Sequence, residues 1–185
     1  DTGLVLGQLK TSSKSNEITT IPELLKLIKV KGRVISVDAM GCQRSIAELI
    51  VGRKGDYLMS VKDNQPSLHK VFTDNFSLGQ LSDYSEYAYE EEEVRQRGRK
   101  VLRSYIVIPF TEEFGDFSAK WKGLKSLCIA TTYQRKNGEP SGSLGVRYFI
   151  SSKKMKAEEF GKLCRGHWGV ESMHWWLDAV MNEDD

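Results

Sequence analysis

Strands and helices alternate over residues 33–76, and this alternation constrains the fold more than any other feature of the chain. Arg33–Val37 and Tyr57–Val61 are short and almost continuously apolar, as buried strands are. A helix is predicted after each strand, over Gln43–Val51 and from Pro66 to about Phe76. This order predicts a parallel sheet with helices packed on it.

The residues before this block predict one more strand and one more helix. Leu4–Leu9 has the apolar character of a strand, and Thr11–Thr20 is predicted to be a polar loop. Pro22 suits the first turn of a helix, and Gly32 is expected to end that helix.

From residue 79 the pattern changes to that of an antiparallel sheet. Strands are predicted over Tyr84–Tyr89, Arg99–Ile108, Ser126–Tyr133 and Val146–Ile150. Gly98 and the Asn137-Gly138 pair indicate turns between them. The acidic run Glu90–Glu93, followed at once by basic residues, is typical of a solvated strand or hairpin.

Helices return at the end of the chain, over Ala157–Cys164 and Val170–Met181. The predicted fold class is therefore α/β. Residues 1–78 form the first part of a core, residues 79–152 a β-rich antiparallel insertion, and residues 153–185 carboxyl-terminal helices.

Composition limits the class of protein without identifying it. The chain has 185 residues, 39% of them hydrophobic and 28% charged, which suits one sizeable core. The formal net charge of +2 does not by itself require a nucleic-acid partner. Three widely spaced cysteines are typical of reduced thiols in a cytosolic protein. Neither a membrane-spanning run nor a signal peptide is evident, so we expect a cytoplasmic protein with no membrane partner. Both ends of the sequence suggest a fragment.

Four polar residues near the end of the chain share one helical stripe. His167, Glu171, His174 and Asp178 stand at offsets of zero, four, seven and eleven, and such spacing places side chains on one helix face. The stripe can bind a metal or exchange protons, but a solvated helix with a polar ridge has the same pattern.

Asp38 is the second candidate position, because ligands of parallel sheets bind at the carboxyl ends of the strands. The alternative for Asp38 is a helix cap, since Asp is a favoured capping residue. The alternative for Glu171 is an ordinary exposed helical residue.

Several long motifs add information that neither acid provides alone. They are Lys10–Leu25, Val37–Gln43, Gly55–Leu58, Val61-Lys62 with Asn64-Gln65, Arg147–Ser152, His167–Glu171, His174-Trp175, Leu177-Asp178 and Asn182–Asp185. Together they closely resemble the H-repeat-associated family of bacterial insertion-sequence transposases, which are enzymes of the DDE type.

The resemblance implies an RNase H-like core with a catalytic triad of two Asp and one Glu. Asp38 matches the second acid and Glu171 the third, and both would be catalytic residues and metal ligands. The first acid and the two opening strands of the sheet would lie upstream of this sequence. The resemblance therefore implies a fragment that is inactive alone, taken from a transposase that cleaves DNA and transfers its strands.

The implied cofactor is a pair of Mg²⁺ ions, with Mn²⁺ as a substitute, because hard cations prefer carboxylate oxygens. The implied partner is double-stranded DNA, as element ends and target, in the nucleoid of a bacterial cytoplasm. A homodimer is an open alternative to a monomer.

Other polar residues are assigned supporting roles. His167 and His174 would assist Glu171 as neighbouring donors or phosphate contacts, and Asp178 is assigned to the same supporting set. Contacts with the phosphate backbone of DNA are predicted for the side chains of Lys62, Asn64, Gln65, Arg97, Arg99, Lys100, Arg103 and Arg165. A plain turn before Pro66 is the alternative for Lys62–Gln65.

Three rival interpretations stay open. A di-iron carboxylate protein uses Glu-x-x-His, which Glu171 and His174 provide only once. A zinc hydrolase could use His167 and His174, although their spacing matches no zinc signature. The third rival is a non-catalytic transposase remnant that folds, or binds DNA, without activity.

Overall fold

The computed structural model describes residues 17–76, 81–95, 99–117, 119–136, 139–140 and 144–167. Seven described strands form one mixed sheet: β1 (Val34–Val37), β2 (Asp56–Val61), β3 (Ala88–Arg95), β4 (Arg99–Pro109), β5 (Ser126–Lys136), β6 (Glu139–Pro140) and β7 (Gly145–Ser151). Four described helices accompany it: α1 (Glu17–Leu27), α2 (Arg44–Gly52), α3 (Pro66–Asn75) and α4, over residues 157–167. Two short 3-10 helices cover Leu81–Tyr87 and Glu112–Phe114.

The sheet has the strand order β1-β2-β7-β5-β4-β3, and β6 pairs with β5. β1 and β2 are parallel, with Val34 opposite Asp56, so the prediction from strand–helix alternation is confirmed for this pair. The other described pairs are antiparallel, as predicted for the middle of the chain. β7 joins the two parts because it pairs with both β2 and β5.

Alternating residues of the strands build a core on each face of the sheet. Met59, on one face, belongs to the larger cluster, which includes residues of α1, α2 and α3. Its neighbour Leu58 belongs to the second cluster, which contains Phe160 and Cys164 of α4. Because successive strand residues point to opposite faces, the helices form layers on both sides of the sheet.

The first helix begins earlier than predicted. Residues 17–20 were expected in a polar loop, but α1 begins at Glu17, and Pro22 lies inside the helix rather than in its first turn. Ile21 packs against the core and Leu25 is buried in it. This apolar spacing of four residues fixes the helix face, and the residues before Ile21 continue the same helix.

The segment predicted as a strand over Tyr84–Tyr89 is mostly helical. Residues 81–87 form a 3-10 helix, and β3 begins only at Ala88. The Tyr84 ring packs edge-on against Phe76, with 5.3 Å between ring centroids. This contact packs the segment against the residue that follows α3.

The acidic run lies in a hairpin, as its composition indicates. Glu90–Glu93 belongs to β3, which pairs with β4 in antiparallel register from Ala88 opposite Ile106 to Arg95 opposite Arg99. The predicted strand at Leu4–Leu9, the helix at Val170–Met181 and the turn residues Gly98, Asn137 and Gly138 lie outside the described residues.

Candidate active site

Asp38 directly follows β1, at the edge of the sheet where β2 also ends. Because β1 and β2 are parallel, Asp38 and Lys62 leave the sheet at the same end. The exposed Asp38 side chain is held by one hydrogen bond, in which the Gly41 N–H donates to Oδ1 over 2.9 Å. The bond fixes the carboxylate without burying it, which leaves it available to a ligand.

The turn after β2 is tied to the loop that follows Asp38. The Asn64 side-chain amide donates to the Ala39 carbonyl oxygen. The Gln65 amide donates to the Cys42 carbonyl oxygen over 2.8 Å. Both amides therefore have protein partners. They act here as braces between two strand-end loops, and their predicted contact with DNA stays a prediction.

An open cleft of about 580 Å³ lies beside Asp38. Its lining residues come from both strand-end loops, from β2 and β7, and from α4: Asp38, Ala39, Met40, Ser60, Lys62, Asp63, Asn64, Arg147, Phe149 and His167. Four of the predicted site residues, Asp38, Lys62, Asn64 and His167, thus border one cavity, although they come from distant parts of the chain.

Packing of α4 on the second sheet face brings His167 to this cleft. The Phe160 ring lies edge-on to Phe149 and to Tyr105, with centroid distances of 5.4 and 5.8 Å. His167 lies about two helical turns after Phe160. Its Nδ1 atom is 3.2 Å from Ser36 Oγ on β1. The first residue of the predicted polar stripe therefore lies beside the strand that carries Asp38.

The remaining stripe residues, Glu171, His174 and Asp178, lie outside the described residues, as does Arg97. Arg99 is described only as a backbone position in β4. The separation of Asp38 and Glu171 therefore stays a prediction.

The other predicted DNA contacts lie away from the cleft lining and are paired with acids. Lys100 Nζ lies 2.8 Å from Glu92 Oε1, and Arg103 Nη2 lies 2.8 Å from Glu93 Oε2. The acidic run of β3 thus neutralises the basic residues of β4, and a bound phosphate would compete with these carboxylates.

Arg165 also has an acidic partner on β3. Its guanidinium forms an ion pair with Glu91, whose other carboxylate oxygen accepts a hydrogen bond from the Tyr105 hydroxyl over 2.9 Å. The hydrogen bond to Glu91 raises the pKa of Arg165 further. Burial and the same carboxylate raise the pKa of Tyr105. This arrangement fastens α4 to the hairpin.

The structure adds Arg147, Ser60 and Asp63 to the cleft. Arg147 lies on β7, two residues before the buried Phe149, so the period of a strand places both on the same face. Strand alternation was visible in the sequence, but the pairing of β7 with β2 joins residues about 90 positions apart. Only that pairing reveals Arg147 as a neighbour of the site.

The chemistry of the cleft suits a hard cation better than a soft one. Carboxylate and hydroxyl oxygens of Asp38, Asp63 and Ser60 border it. Cys42 lies close by, but burial, and secondarily the Asp38 carboxylate, raises the pKa of its thiol to about 12. The thiol is therefore protonated at neutral pH and is no thiolate ligand. Within the part of the chain that the structure describes, no three His, Cys, Asp or Glu side chains cluster closely enough to hold a metal.

Among the described residues, no helix is both long and apolar enough to cross a membrane.

Comparison with known proteins identifies the family. Residues 1–185 match the family model described as "Transposase DDE domain". The chain is 48% identical over 186 residues to a protein of Escherichia coli O157:H7 named "Putative transposase YncI", covering 100% of this chain and 47% of that protein.

Two further relatives extend the comparison. Identity is 47% over 189 residues to the "H repeat-associated putative transposase YhhI" of Escherichia coli K12, covering 98% of this chain and 49% of that protein. Identity is 32% over 155 residues to the "Uncharacterized protein in dhlA 3'region" of Xanthobacter autotrophicus, covering 82% of this chain and 50% of that protein. The chain thus spans about half the length of these relatives. Because the family model matches the full length of the chain, and because the chain closely resembles an H repeat-associated protein, the chain belongs to the transposase DDE domain family.

Proposed function

We propose that this chain carries the second and third catalytic acids, Asp38 and Glu171, of a transposase that cleaves DNA and transfers its strands. The observation that carries the proposal is the meeting of two motifs at one cleft. Asp38, at the carboxyl end of a parallel strand, and His167, at the start of the polar stripe, line the same cavity although 128 residues separate them.

The proposed position of Glu171 beside the cleft rests on the sequence spacing. It stands four residues after His167, so a continuing helix would present both on one face. The proposed RNase H-like core is supported by the parallel β1–β2 pair and by helices on both faces of the sheet. In this proposal residues 1–78 and 153–185 form the core and residues 79–152 the β-rich insertion.

Asp38 and Glu171 are the proposed metal ligands. The exposed carboxylate of Asp38, which the described residues restrain through Oδ1, fits the oxygen preference of Mg²⁺, with Mn²⁺ as a substitute. A pair of such ions would lower the pKa of the attacking water or 3′-hydroxyl and neutralise charge on the leaving oxygen.

The chain's own residues position the DNA strand. Gly41 holds the Asp38 carboxylate toward the cleft through its N–H group. Lys62 and Arg147 supply cations on the cleft wall, where a phosphodiester would lie. Asn64 and Gln65 keep the two loops at a fixed separation. Further polar contacts with the DNA strand would come from His167, Ser60 and Asp63.

Double-stranded DNA, as element ends and target, is the proposed substrate, in a bacterial cytoplasm. The cleft is open to solvent, and most of its lining residues are polar or charged, with Ala39, Met40 and Phe149 as the apolar ones. It is not enclosed, whereas small-molecule sites usually surround most of their ligand. An extended polymer that contacts the protein through its backbone fits such a surface better.

The test is cleavage of supercoiled plasmid in Mg²⁺ by a full-length transposase in which this chain follows the amino-terminal part of a relative. Asp38→Asn should lower cleavage more than about 100-fold, because loss of a metal ligand exceeds the effect of its supporting contacts. Asp74→Asn on α3, which also removes one exposed carboxylate, is the matched control and should retain activity. Equal activity of Asp38→Asn and wild type would refute the role of Asp38. Absence of cleavage in every variant would favour a non-catalytic remnant.

A further inference from the structure

The end of the sheet opposite Asp38 carries a group of exposed cations. We name it the basic end and define it by Lys31, Arg33, Lys54, Lys122, Lys125 and Lys154, which are all exposed. Arg33 precedes β1 and Asp38 follows it. The four residues of β1 lie between Arg33 and Asp38, and these five steps of extended chain span about 17 Å.

Backbone contacts hold these segments together. The Gly32 N–H donates to the Lys54 carbonyl, and the Asp56 N–H donates to the Arg33 carbonyl, each over 2.8 Å. The Lys125 N–H donates to the Ser151 carbonyl over 2.9 Å, which places the 122–125 loop beside β7. A Cβ atom on Gly123 would lie 3.5 Å from Val51 at the end of α2 and 3.7 Å from Ser152. The cations therefore share one end of the domain.

The loop at Lys122 and Lys125 is firmly anchored. Trp121 and Leu124 are buried, with 1% and 8% of their surface exposed, whereas the lysines beside them face solvent. Gly123 has a φ of +72°, a backbone conformation that favours glycine. The loop thus presents its charges from a fixed backbone.

The cations of the basic end lack the acidic partners found elsewhere. None of the six forms an ion pair with another described residue, whereas Lys100, Arg103 and Arg165 all do. Nearby acids are engaged: Asp56 accepts a hydrogen bond from Ser152 over 2.8 Å, and Glu159 pairs with Lys153 over 2.6 Å.

Helix stability does not account for this charge. Lys54 follows α2, where a cation complements the helix dipole. Lys154, however, precedes the amino-terminal end of α4, where the dipole favours acids. Lys122 and Lys125 belong to no helix. A ligand with negative charge explains the whole group better.

We propose that the basic end binds the phosphate backbone of duplex DNA outside the catalytic cleft. The inference rests on the proposed DNA substrate and extends it to a second contact surface. The aromatic residue of the loop, Trp121, is buried, so the loop offers no exposed ring on which unpaired bases could stack. Exposed cations without a stacking ring suit sequence-independent contact with a duplex backbone.

The test compares two variants with the same change in net charge. Lys122→Gln with Lys125→Gln removes two cations of the basic end. The control, Lys70→Gln with Lys162→Gln, removes two exposed cations that are paired with Asp74 and Glu158 elsewhere. Fluorescence anisotropy with a random 25-base-pair duplex, from 50 to 200 mM KCl, gives the affinity and its salt dependence. The circular dichroism spectrum of each variant checks its fold.

The basic-end variant should bind the duplex several-fold more weakly at 50 mM KCl. Its slope of log K against log salt should fall in magnitude by about 2, as for the loss of two phosphate contacts. The control should stay near wild type, and Lys122→Arg with Lys125→Arg should restore binding. Equal losses in both Gln variants, no loss in the basic-end variant, or equally tight binding of single-stranded DNA by wild type would overturn the inference.

Asp38→Asn, assayed in parallel, separates this inference from the proposed catalytic function. In this variant, Lys122→Gln with Lys125→Gln should weaken duplex binding by the same factor as in the wild-type chain, because Asp38 lies at the other end of the sheet. Duplex binding through the basic end by a full-length wild-type transposase that fails to cleave plasmid would refute the catalytic role alone.

Discussion

At the scale of single residues, the cleft depends on side chains from opposite ends of the sequence. Asp38 could be predicted from local information, because it directly follows a strand of almost continuously apolar sequence, although only Val37 of that strand is buried. His167 could be predicted from the spacing of its helix. Arg147 could not, because its role depends on which strands become neighbours, and strand order is set by packing across the whole domain.

Arg147→Gln tests the cation that the structure adds to the cleft. Loss of a charge-assisted contact to phosphate should lower plasmid cleavage about 10- to 100-fold, measured in the full-length transposase. Arg135→Gln on β5 is the matched control, since it also removes an exposed strand arginine but lies away from the cleft lining. Equal cleavage by the two variants would remove Arg147 from the site.

At the scale of elements, the alternation of strand and helix segments over residues 33–76 was the reliable signal. β1, β2, α2 and α3 lie within one or two residues of their predicted bounds. The prediction of a loop up to Thr20 was wrong because the polar sequence did not reveal the helix face that Ile21 and Leu25 define. The strand predicted from Tyr84 was wrong over residues 84–87 because tyrosine favours strands in general, whereas the contact of Tyr84 with Phe76 decides the conformation of this segment.

The turn after β1 has no room for a side chain at Gly41. A Cβ atom there would lie 2.1 Å from Val37 Cγ1 and 2.8 Å from Ile21 Cδ1. Gly41→Ala should therefore lower the free energy of unfolding by about 1–3 kcal/mol and displace the Asp38 carboxylate. Urea unfolding measures the change.

Gly52→Ala is the control for Gly41→Ala. Gly52 ends α2 and has open space around its Cα, so alanine should be neutral or stabilise the fold by up to about 1 kcal/mol. If Gly41→Ala were equally harmless, the turn would not be as tightly packed as described.

The β3–β4 hairpin allows a test of its predicted DNA contacts. Glu92→Gln with Glu93→Gln would release Lys100 and Arg103 from their ion pairs. If these cations meet phosphate, as the sequence predicts, duplex affinity should rise several-fold and its salt slope should steepen. Asp74→Asn with Glu158→Gln removes the same charge elsewhere and is the control. An equal rise in both variants would show a general charge effect and no contact by the hairpin.

At the scale of the whole molecule, three buried cysteines report the integrity of both cores. Cys42 lies in the larger core, and Cys128 and Cys164 in the second. Burial raises the pKa of Cys42 and of Cys164 to about 12 and raises the pKa of Cys128 well above its usual value. These values keep the thiols protonated, which agrees with the reduced cysteines expected from the sequence.

The native chain should therefore be inert to the thiol reagent DTNB at pH 8. With a pKa of about 12, only about one thiol in ten thousand is ionised at that pH, and the thiolate is the nucleophile. The reaction should accelerate as pH rises and reach three thiols per chain in guanidinium. Rapid reaction of any thiol in the native chain would contradict the described packing.

The stability of the fold should fall at high pH for the same reason. The pKa values of Cys42, Cys164, Tyr57 and Tyr105 are all raised by burial in the folded chain. Unfolded chains release these protons from about pH 9, where the folded chain still holds them. The contribution of these groups to the free energy of unfolding is therefore fully present below that pH and is lost as pH rises. Thermal unfolding followed between pH 7 and 11 measures this decline, and a constant melting temperature would exclude it.

The central claim is that Asp38 and Glu171 share one metal site, and a crystal structure of the chain soaked in Mn²⁺ tests it most directly. We expect an anomalous difference peak about 2.1 Å from a carboxylate oxygen of Asp38, with Glu171 bound to the same ion or to a second ion about 4 Å away. Asp38 and Glu171 side chains that face separate regions of solvent, with no Mn²⁺ between them, would contradict the account.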